Sequence, residues 1–363
     1  MPEAARPRVA LPIALDAMGG DRAPDVVVEG AALACRAGHG PIALVGDEAR
    51  VRAAIERLAP AEDGLTVVPA TEVIGMAEHP GRAARAKRDS SMHVGFALVR
   101  DGKACALVSA GNSGAMMAVG LLTLRRIPRC ERPAIASAMP TRGSPTVLLD
   151  MGANVECRAS HLVQFALMGA AYAEIALGKQ RPTVGLLSNG TEPTKGTETL
   201  REAHRLLNMT DLKYVGYVEG HTVPMGEVDV VVTDGFVGNV VLKLSEGIAL
   251  ALIDRVREKL RGDWLGSLGA ALMKRALREL REELDWSNIG GAPLLGIDGV
   301  GVVAHGGSSA SAIANAVRVA RDYVEVDLVG RLRLALEASE APDEHTSTAE
   351  LPITRATGGH ERP

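Results

Sequence analysis

The segment ALPIALDAMGGDRAPDVVVEGAALACRA, residues 10–37, decides the fold. The apolar run Ala10–Leu15 predicts a strand, Asp16–Asp21 a glycine-bearing turn, and Pro24–Ala37 a helix with apolar residues at helical spacing. The same unit recurs along the chain. Further strands are expected at Ile42–Val45, Leu65–Val68, Ala106–Val108, Ala134–Ala136, Thr146–Leu149, Thr183–Leu187 and Val228–Thr233. Helices are expected at Glu48–Leu58, Ser91–Val99, Ala115–Leu124, Ser160–Leu177 and Glu198–Leu207, several of them preceded by a capping Ser, Thr, Asp or Asn. Continuous apolar strands alternating with helices predict a three-layer α/β/α, Rossmann-like fold around a mostly parallel sheet.

Composition narrows the function classes. Of 363 residues, 47% are hydrophobic and 2% aromatic, and 40 Lys and Arg face 44 Asp and Glu. A net charge of −4 supplies no general field for nucleic acid, and so few aromatics make a base-stacking platform unexpected. Cys35, Cys105, Cys130 and Cys157 lie far apart without a Cys-x-x-Cys pair, which predicts neither disulfide framework nor zinc knuckle and suits a reducing cytoplasm. No targeting segment is read in Met1–Arg8, taken as a flexible N-terminus. The uncharged stretch Ala104–Leu124 is interrupted by Ser109, Gly111, Asn112, Ser113 and Gly114, so it is read as strand, loop and helix and not as a membrane span. Residues 9–336 are expected to form one catalytic domain and residues 337–363 a disordered tail.

Glycine-rich loops close the strands: DAMGGD (16–21), SAGNSGA (109–115), DMGAN (150–154), SNGTEPTKGTE (188–198), TDGFVGN (233–239) and HGGSS (305–309). Each alone is a tight turn. Together, at the strand ends where α/β ligands bind and with helices starting behind them, they point to phosphate. The dinucleotide pattern Gly-x-Gly-x-x-Gly is missing after the first strand, which weakens a nicotinamide dehydrogenase. Lys195 precedes Gly196, the reverse of a nucleotide P-loop, so ATP hydrolysis is not supported. Gly111-Asn112-Ser113-Gly114-Ala115 approximates a nucleophile elbow but lacks its last glycine; Ser113 is read as a nucleophile or as a hydroxyl that caps the helix or touches an anion.

With LDAMGGDRAPD, KRDSSM (87–92), SAGNSGA, LLDMGANVEC (148–157), LLSNGTEPTKGTE, DGFVGNVVLKLSEG (234–247) and GAPLLGIDGVGVVAHGGSSASAIANA (291–316) in this order, the chain resembles the phosphate acyltransferases of bacterial phospholipid synthesis (PlsX type). The resemblance runs from about Val9 to about Arg321, and Ser113 stands where that family often has threonine. It implies transfer of a long-chain acyl group from acyl-acyl carrier protein to inorganic phosphate, with no cofactor and no metal, and an acyl phosphate product for a downstream glycerol-3-phosphate acyltransferase. Lys195 and Asn239 are the expected catalytic residues, for phosphate or leaving thiolate and for the oxyanion respectively; a solvated lysine and a helix-capping asparagine are the alternatives. Substrate-binding candidates are Asp16, Gly19, Gly20, Gly111, Asn112, Ser113, Asn154, Asn189, Gly190, Thr191, Asp234, Gly238 and His305.

Two surface features complete the reading. Arg82, Arg85, Lys87 and Arg88 form a basic cluster suited to an acidic carrier protein, or a solvated face. Residues 249–284 have apolar residues at helical spacing, with eight Lys and Arg against five acidic residues from Arg255 to Glu283. They predict a protruding helical hairpin that touches membrane through Trp264, Leu265 and Leu268, builds a homodimer, or does both. The corresponding location is cytoplasmic, at the inner face of the membrane. A dehydrogenase of the isopropylmalate type and a non-catalytic acyl or phosphate binder remain as alternatives.

Overall fold

The computed structural model describes residues 10–260, 275 and 291–338. Strand β1 (Ile13–Asp16) leads to α1 (Asp25–Arg36), β2 (Ile42–Gly46), α2 (Glu48–Leu58), β3 (Leu65–Pro69), α3 (Pro80–Ala86), α4 (Ser91–Arg100), β4 (Ala106–Ser109) and α5 (Ser113–Thr123). There follow β5 (Ala134–Met139), β6 (Thr146–Leu149), α6 (Ala159–Leu177), β7 (Thr183–Ser188), α7 (Glu198–Leu207), β8 (Lys213–Glu219), β9 (Val230–Val232) and α8 (Gly235–Leu260). The described chain ends with β10 (Ala292–Leu295), β11 (Val300–Val303), α9 (Ala310–Glu325) and α10 (Leu328–Ala338).

All eleven strands join one sheet in the order β3-β2-β1-β4-β11-β10-β5-β6-β9-β7-β8. The first five are mutually parallel, as are the last four. Between them β10 runs antiparallel to both neighbours, and β5 pairs antiparallel with β6, so the two parallel blocks have opposite strand directions. Alternation along the strands separates two core layers. Ile13 and Leu15 of β1 and Val147 and Leu149 of β6 pack with residues of α1, α6 and α9, while Ala14 and Leu148 face the layer containing α4 and α5.

Local chemistry starts the helices, at four positions where the sequence reading expects one and at α9, which it does not include. Asp47, Ser90, Asn112, Thr197 and Ser309 cap α2, α4, α5, α7 and α9 by accepting the amide three residues on. Strands β8, β10 and β11 have no counterpart among the sequence-based expectations. The latter two are four residues each, and their role depends on non-local partners, β4 and β5. Of the expected hairpin, residues 249–260 are helical and continue α8, a helix of 26 residues, while its turn and all of its second arm but residue 275 lie outside the described residues. Trp264, Leu265 and Leu268, the N-terminal residues 1–8 and the tail beyond residue 338 lie outside the described residues.

Candidate active site

At the carboxyl ends of β1, β4 and β11, Asp16 organises the first loop group. Its side chain is buried, accepting the Ser109 hydroxyl at 2.7 Å and the Met18 amide at 3.1 Å, while Ser109 Oγ accepts the Gly111 amide at 3.0 Å. Burial raises its carboxyl above the ordinary carboxylate range, against the opposing hydrogen bonds of Ser91, Ser109, Met18 and Gly19. Asp16 therefore knits loops together from inside. Gly19 is required by this closeness: a Cβ there would sit 2.7 Å from Asp16 Oδ2 and from the Gly111 nitrogen.

The neighbouring polar side chains are largely committed. Asn112 caps α5 through Oδ1, and its Nδ2 donates to the carbonyls of Met76 and Glu78, each at 3.1 Å. Ser113 is the exposed first residue of α5, so the capping role belongs to Asn112. His305 Nδ1 accepts the Gly307 amide at 3.1 Å, and Gly20, with φ +100°, turns against the Gly306 carbonyl.

The second group occupies the ends of β6 and β9. Asp150 is buried and accepts the amides of Ile135, Gly152, Ala153 and Asn154 together with Asn154 Nδ2, at 2.7–3.3 Å. Asn154 Nδ2 also donates to the Pro133 carbonyl at 2.8 Å. Asp234 Oδ1 accepts the Val237 amide at 2.8 Å, which makes Asp234, and not Asn239, the residue that starts α8. Asn239 lies in the second turn of α8, half-buried beside Gly152, and its carboxamide has no hydrogen-bond partner among the described residues. Gly238 lies directly against the Asp150 carbonyl oxygen.

The third loop follows β7, parallel to β9 and next to it, so it leaves the sheet at the same edge as Asp150 and Asn239. Asn189 Oδ1 accepts the Gly196 amide at 3.0 Å and holds the loop closed; Gly190 is buried and Thr191 exposed. Lys195 is 45% exposed and stands 3.9 Å from Glu192. Thus Lys195 and Asn239 share one parallel block, whereas Asp16, Gly19, Gly20, Gly111, Asn112, Ser113 and His305 belong to the other. The sequence places all these residues in loops at strand ends and does not assign them to blocks.

Covalent catalysis by cysteine has no support in the electrostatics. Burial pushes Cys35 to about 11 and both Cys130 and Cys157 to about 12, the last with help from Asp150 and Asp234, and it also raises Cys105. Thiolate is suppressed at neutral pH in all four. Among the described residues no histidine is hydrogen-bonded to Ser113, so the elbow-like sequence lacks a serine–base pair.

The fold defines the protein's class first. It is similar to a phosphotransacetylase from Streptococcus pyogenes (TM-score 0.57, 16% identity, covering 90% of this chain and 95% of that one). The EutD phosphotransacetylase from Staphylococcus aureus is also similar (TM-score 0.55, 15% identity, 88% and 96%). A 4-hydroxythreonine-4-phosphate dehydrogenase from Klebsiella pneumoniae has a TM-score of 0.51 at 13% identity over 89% of this chain and 99% of that one, so the architecture serves more than one reaction. Sequence then resolves the family: residues 11–331 match the model described as fatty acid synthesis protein, and the chain belongs to that family. It is 54% identical over 319 residues to the phosphate acyltransferase of Myxococcus xanthus (86% of this chain, 90% of that protein). It is 50% identical over 334 residues to the phosphate acyltransferase of Syntrophotalea carbinolica (92% and 96%).

Proposed function

We propose that this protein transfers an acyl group from an acyl carrier protein thioester to inorganic phosphate. A phosphate oxygen attacks the carbonyl carbon, a C–O bond forms, the C–S bond breaks, and the carrier thiolate leaves and takes up a proton. The products are acyl phosphate, the activated donor for glycerol-3-phosphate acylation in phospholipid synthesis, and free carrier thiol. The observation that carries the reading is the unpartnered Asn239 carboxamide, placed in the first turns of α8 on the same sheet edge as Lys195. A preorganised amide donor suits a developing oxyanion, and the ammonium of Lys195 suits phosphate or departing thiolate. Phosphate is itself a competent nucleophile, so suppressed thiols and an unpaired Ser113 are compatible with direct transfer.

The test is release of carrier thiol from a long-chain acyl carrier protein with and without phosphate, combined with hydroxylamine trapping. Phosphate-dependent release with a trapped acyl hydroxamate is expected. Release that ignores phosphate indicates hydrolysis and rejects the proposal.

The carrier is assigned to the exposed arginines of α3 and the turn after it, Arg82, Arg85 and Arg88. Lys87 leaves the proposed contact set: its ammonium pairs with Glu78 at 2.5 Å and donates to the Val73 carbonyl at 2.6 Å, bracing the loop that Asn112 also grips. Charge reversal at Arg82 and Arg85 is expected to raise KM for the carrier substrate about tenfold or more, with KM for phosphate unchanged. Steady-state kinetics with each substrate varied in turn checks this; equal KM values for the carrier reject the patch.

Helix α8 supports the proposed assembly. Phe236, Leu244, Ile248 and Leu252 are 58–63% exposed, and Gly235–Val256 is long and apolar enough to cross a membrane by length and composition. We assign the stem of this apolar face to a homodimer contact and its distal end to the membrane surface, with the protein otherwise in the cytoplasm.

A further inference from the structure

The loop between β7 and α7 carries Lys195, and three hydrogen bonds fix the backbone around that residue. The Lys195 amide donates to the Glu192 carbonyl at 2.9 Å, and the Gly196 amide donates to Asn189 Oδ1 at 3.0 Å. The third bond comes from outside the loop: Arg201 Nη1, in the first turn of α7, donates to the Gly196 carbonyl at 2.7 Å. The two peptide planes that meet at Gly196 are therefore held separately, one by Asn189 and the other by Arg201. Gly196 requires such holding because its φ is +79°, a conformation that glycine leaves as readily as it enters. The lysine stem is confined as well: a Cβ at Gly190 would lie 2.8 Å from Lys195 Cγ.

Arg201 is available for this contact and stands on a firm base. The adjacent Glu202 is bound to Arg205 through two hydrogen bonds, at 2.7 and 2.9 Å, and Arg201 has no carboxylate partner among the described residues. One turn further along α7, His204 bonds the Tyr214 hydroxyl at 2.7 Å through Nδ1 and stacks on the Tyr217 ring at 4.6 Å. Tyrosines three residues apart face opposite sides of a regular strand. Strand β8 turns both toward α7 through a register shift between Val184 and Leu186, with Gly216 at φ +93°. Helix α7 is thereby clamped to β8, and Arg201 reaches from it to the loop.

We infer that Arg201 is a positioning residue for the reaction: by holding the Gly196 carbonyl it keeps the Lys195 ammonium at the edge where Asn239 sits. The inference rests on the acyl-transfer reading and on Lys195 as its cation. Arg201 acts through the backbone that carries Lys195 and not by contact with substrate. Displacement by about 1 Å of a group that acts in the transition state costs on the order of a hundredfold in rate.

The experiment combines steady-state kinetics of Arg201→Ala, Arg201→Lys, Lys195→Ala and the Lys195→Ala, Arg201→Ala pair with hydrogen exchange of the full chain, followed at the Gly196 amide. Arg201→Ala is expected to lower kcat about ten- to a hundredfold, with KM for phosphate and for the carrier substrate changed less than about twofold. Its melting point is expected to stay within about 2 °C, because the side chain removed is exposed. Exchange at Gly196 is expected to accelerate about tenfold or more. Arg201→Lys keeps a donor and is expected to recover most of the rate and of the protection. In the Lys195→Ala background, Arg201→Ala is expected to cost less than about twofold, since the group it positions is gone. Unchanged kcat in Arg201→Ala overturns the inference, as does an equal loss in the Lys195→Ala background. A raised KM for phosphate overturns it too, by making Arg201 a binding contact. Exchange needs no turnover, so an unchanged rate at Gly196 rejects the hold on the loop even if acyl transfer itself fails. Accelerated exchange beside full activity of Lys195→Ala leaves the hold in place and overturns the catalytic reading of Lys195 instead.

Discussion

Replacing Lys195 with alanine is expected to lower kcat about 10²- to 10³-fold at saturating phosphate and carrier substrate while leaving the fold intact. Removal of the ammonium takes a charge from the edge where Asn239 sits, and charge that develops on phosphate or sulfur in the transition state then lacks its counterion. The fold is spared because Lys195 is 45% exposed and its contact with Glu192 is 3.9 Å long; a pair of that kind contributes at most about 1 kcal/mol. Lys195→Arg is expected to recover part of the rate, since it restores charge with altered geometry. Thiol-release kinetics beside a thermal melt checks both halves. A folded Lys195→Ala protein with full activity removes Lys195 from the catalytic machinery.

The second large effect is structural. Gly238→Ala is expected to destabilise the protein by about 3 kcal/mol and to abolish most activity. A Cβ at this position meets the Asp150 carbonyl oxygen, a backbone atom fixed by the surrounding loop. Nearby Gly235 is also confined: a Cβ there would lie 2.8 Å from the Asn154 nitrogen. Relief requires α8 to move away from β6, and that movement displaces Asn239, the next residue; an error of about 1 Å in such a group costs about a hundredfold in rate. Gly247→Ala, in the same helix but with open space around it, is the control. It is expected to stabilise by up to about 1 kcal/mol through helix propensity. Denaturant unfolding of the two variants separates crowding from propensity, and similar midpoints would refute the clash.

Much of this organisation was legible before the structure. The alternation of apolar strands with capped helices named the α/β class, and Asp47, Ser90 and Thr197 cap expected helices as local hydrogen-bond chemistry dictates. Stretch Ala104–Leu124 divides into β4 and α5 as its polar interruption implied. Site residues were legible as types in loops, but their availability was not. Asn154, Asp234 and Lys87 look equally free in the sequence, yet each is engaged: Asn154 by Asp150 and Pro133, Asp234 by the start of α8, Lys87 by Glu78. Arg201 gave no signal at all, because its bond to the Gly196 carbonyl exists only once that turn has folded.

The sequence by itself determined the repeated strand, glycine turn and helix, together with the acyltransferase motifs, because periodicity, capping and turn chemistry act over a few neighbouring residues. Tertiary structure decided how those units combine. The antiparallel insertion of β10 beside β5, which divides the parallel strands into two blocks, depends on backbone pairing between residues more than 150 positions apart. The same holds for the bond from Ser109 to Asp16 across 93 positions and from Arg22 to Ser308 across 286. Such contacts form when packing closes long loops, and no local pattern of residues encodes which polar group will be left for a substrate.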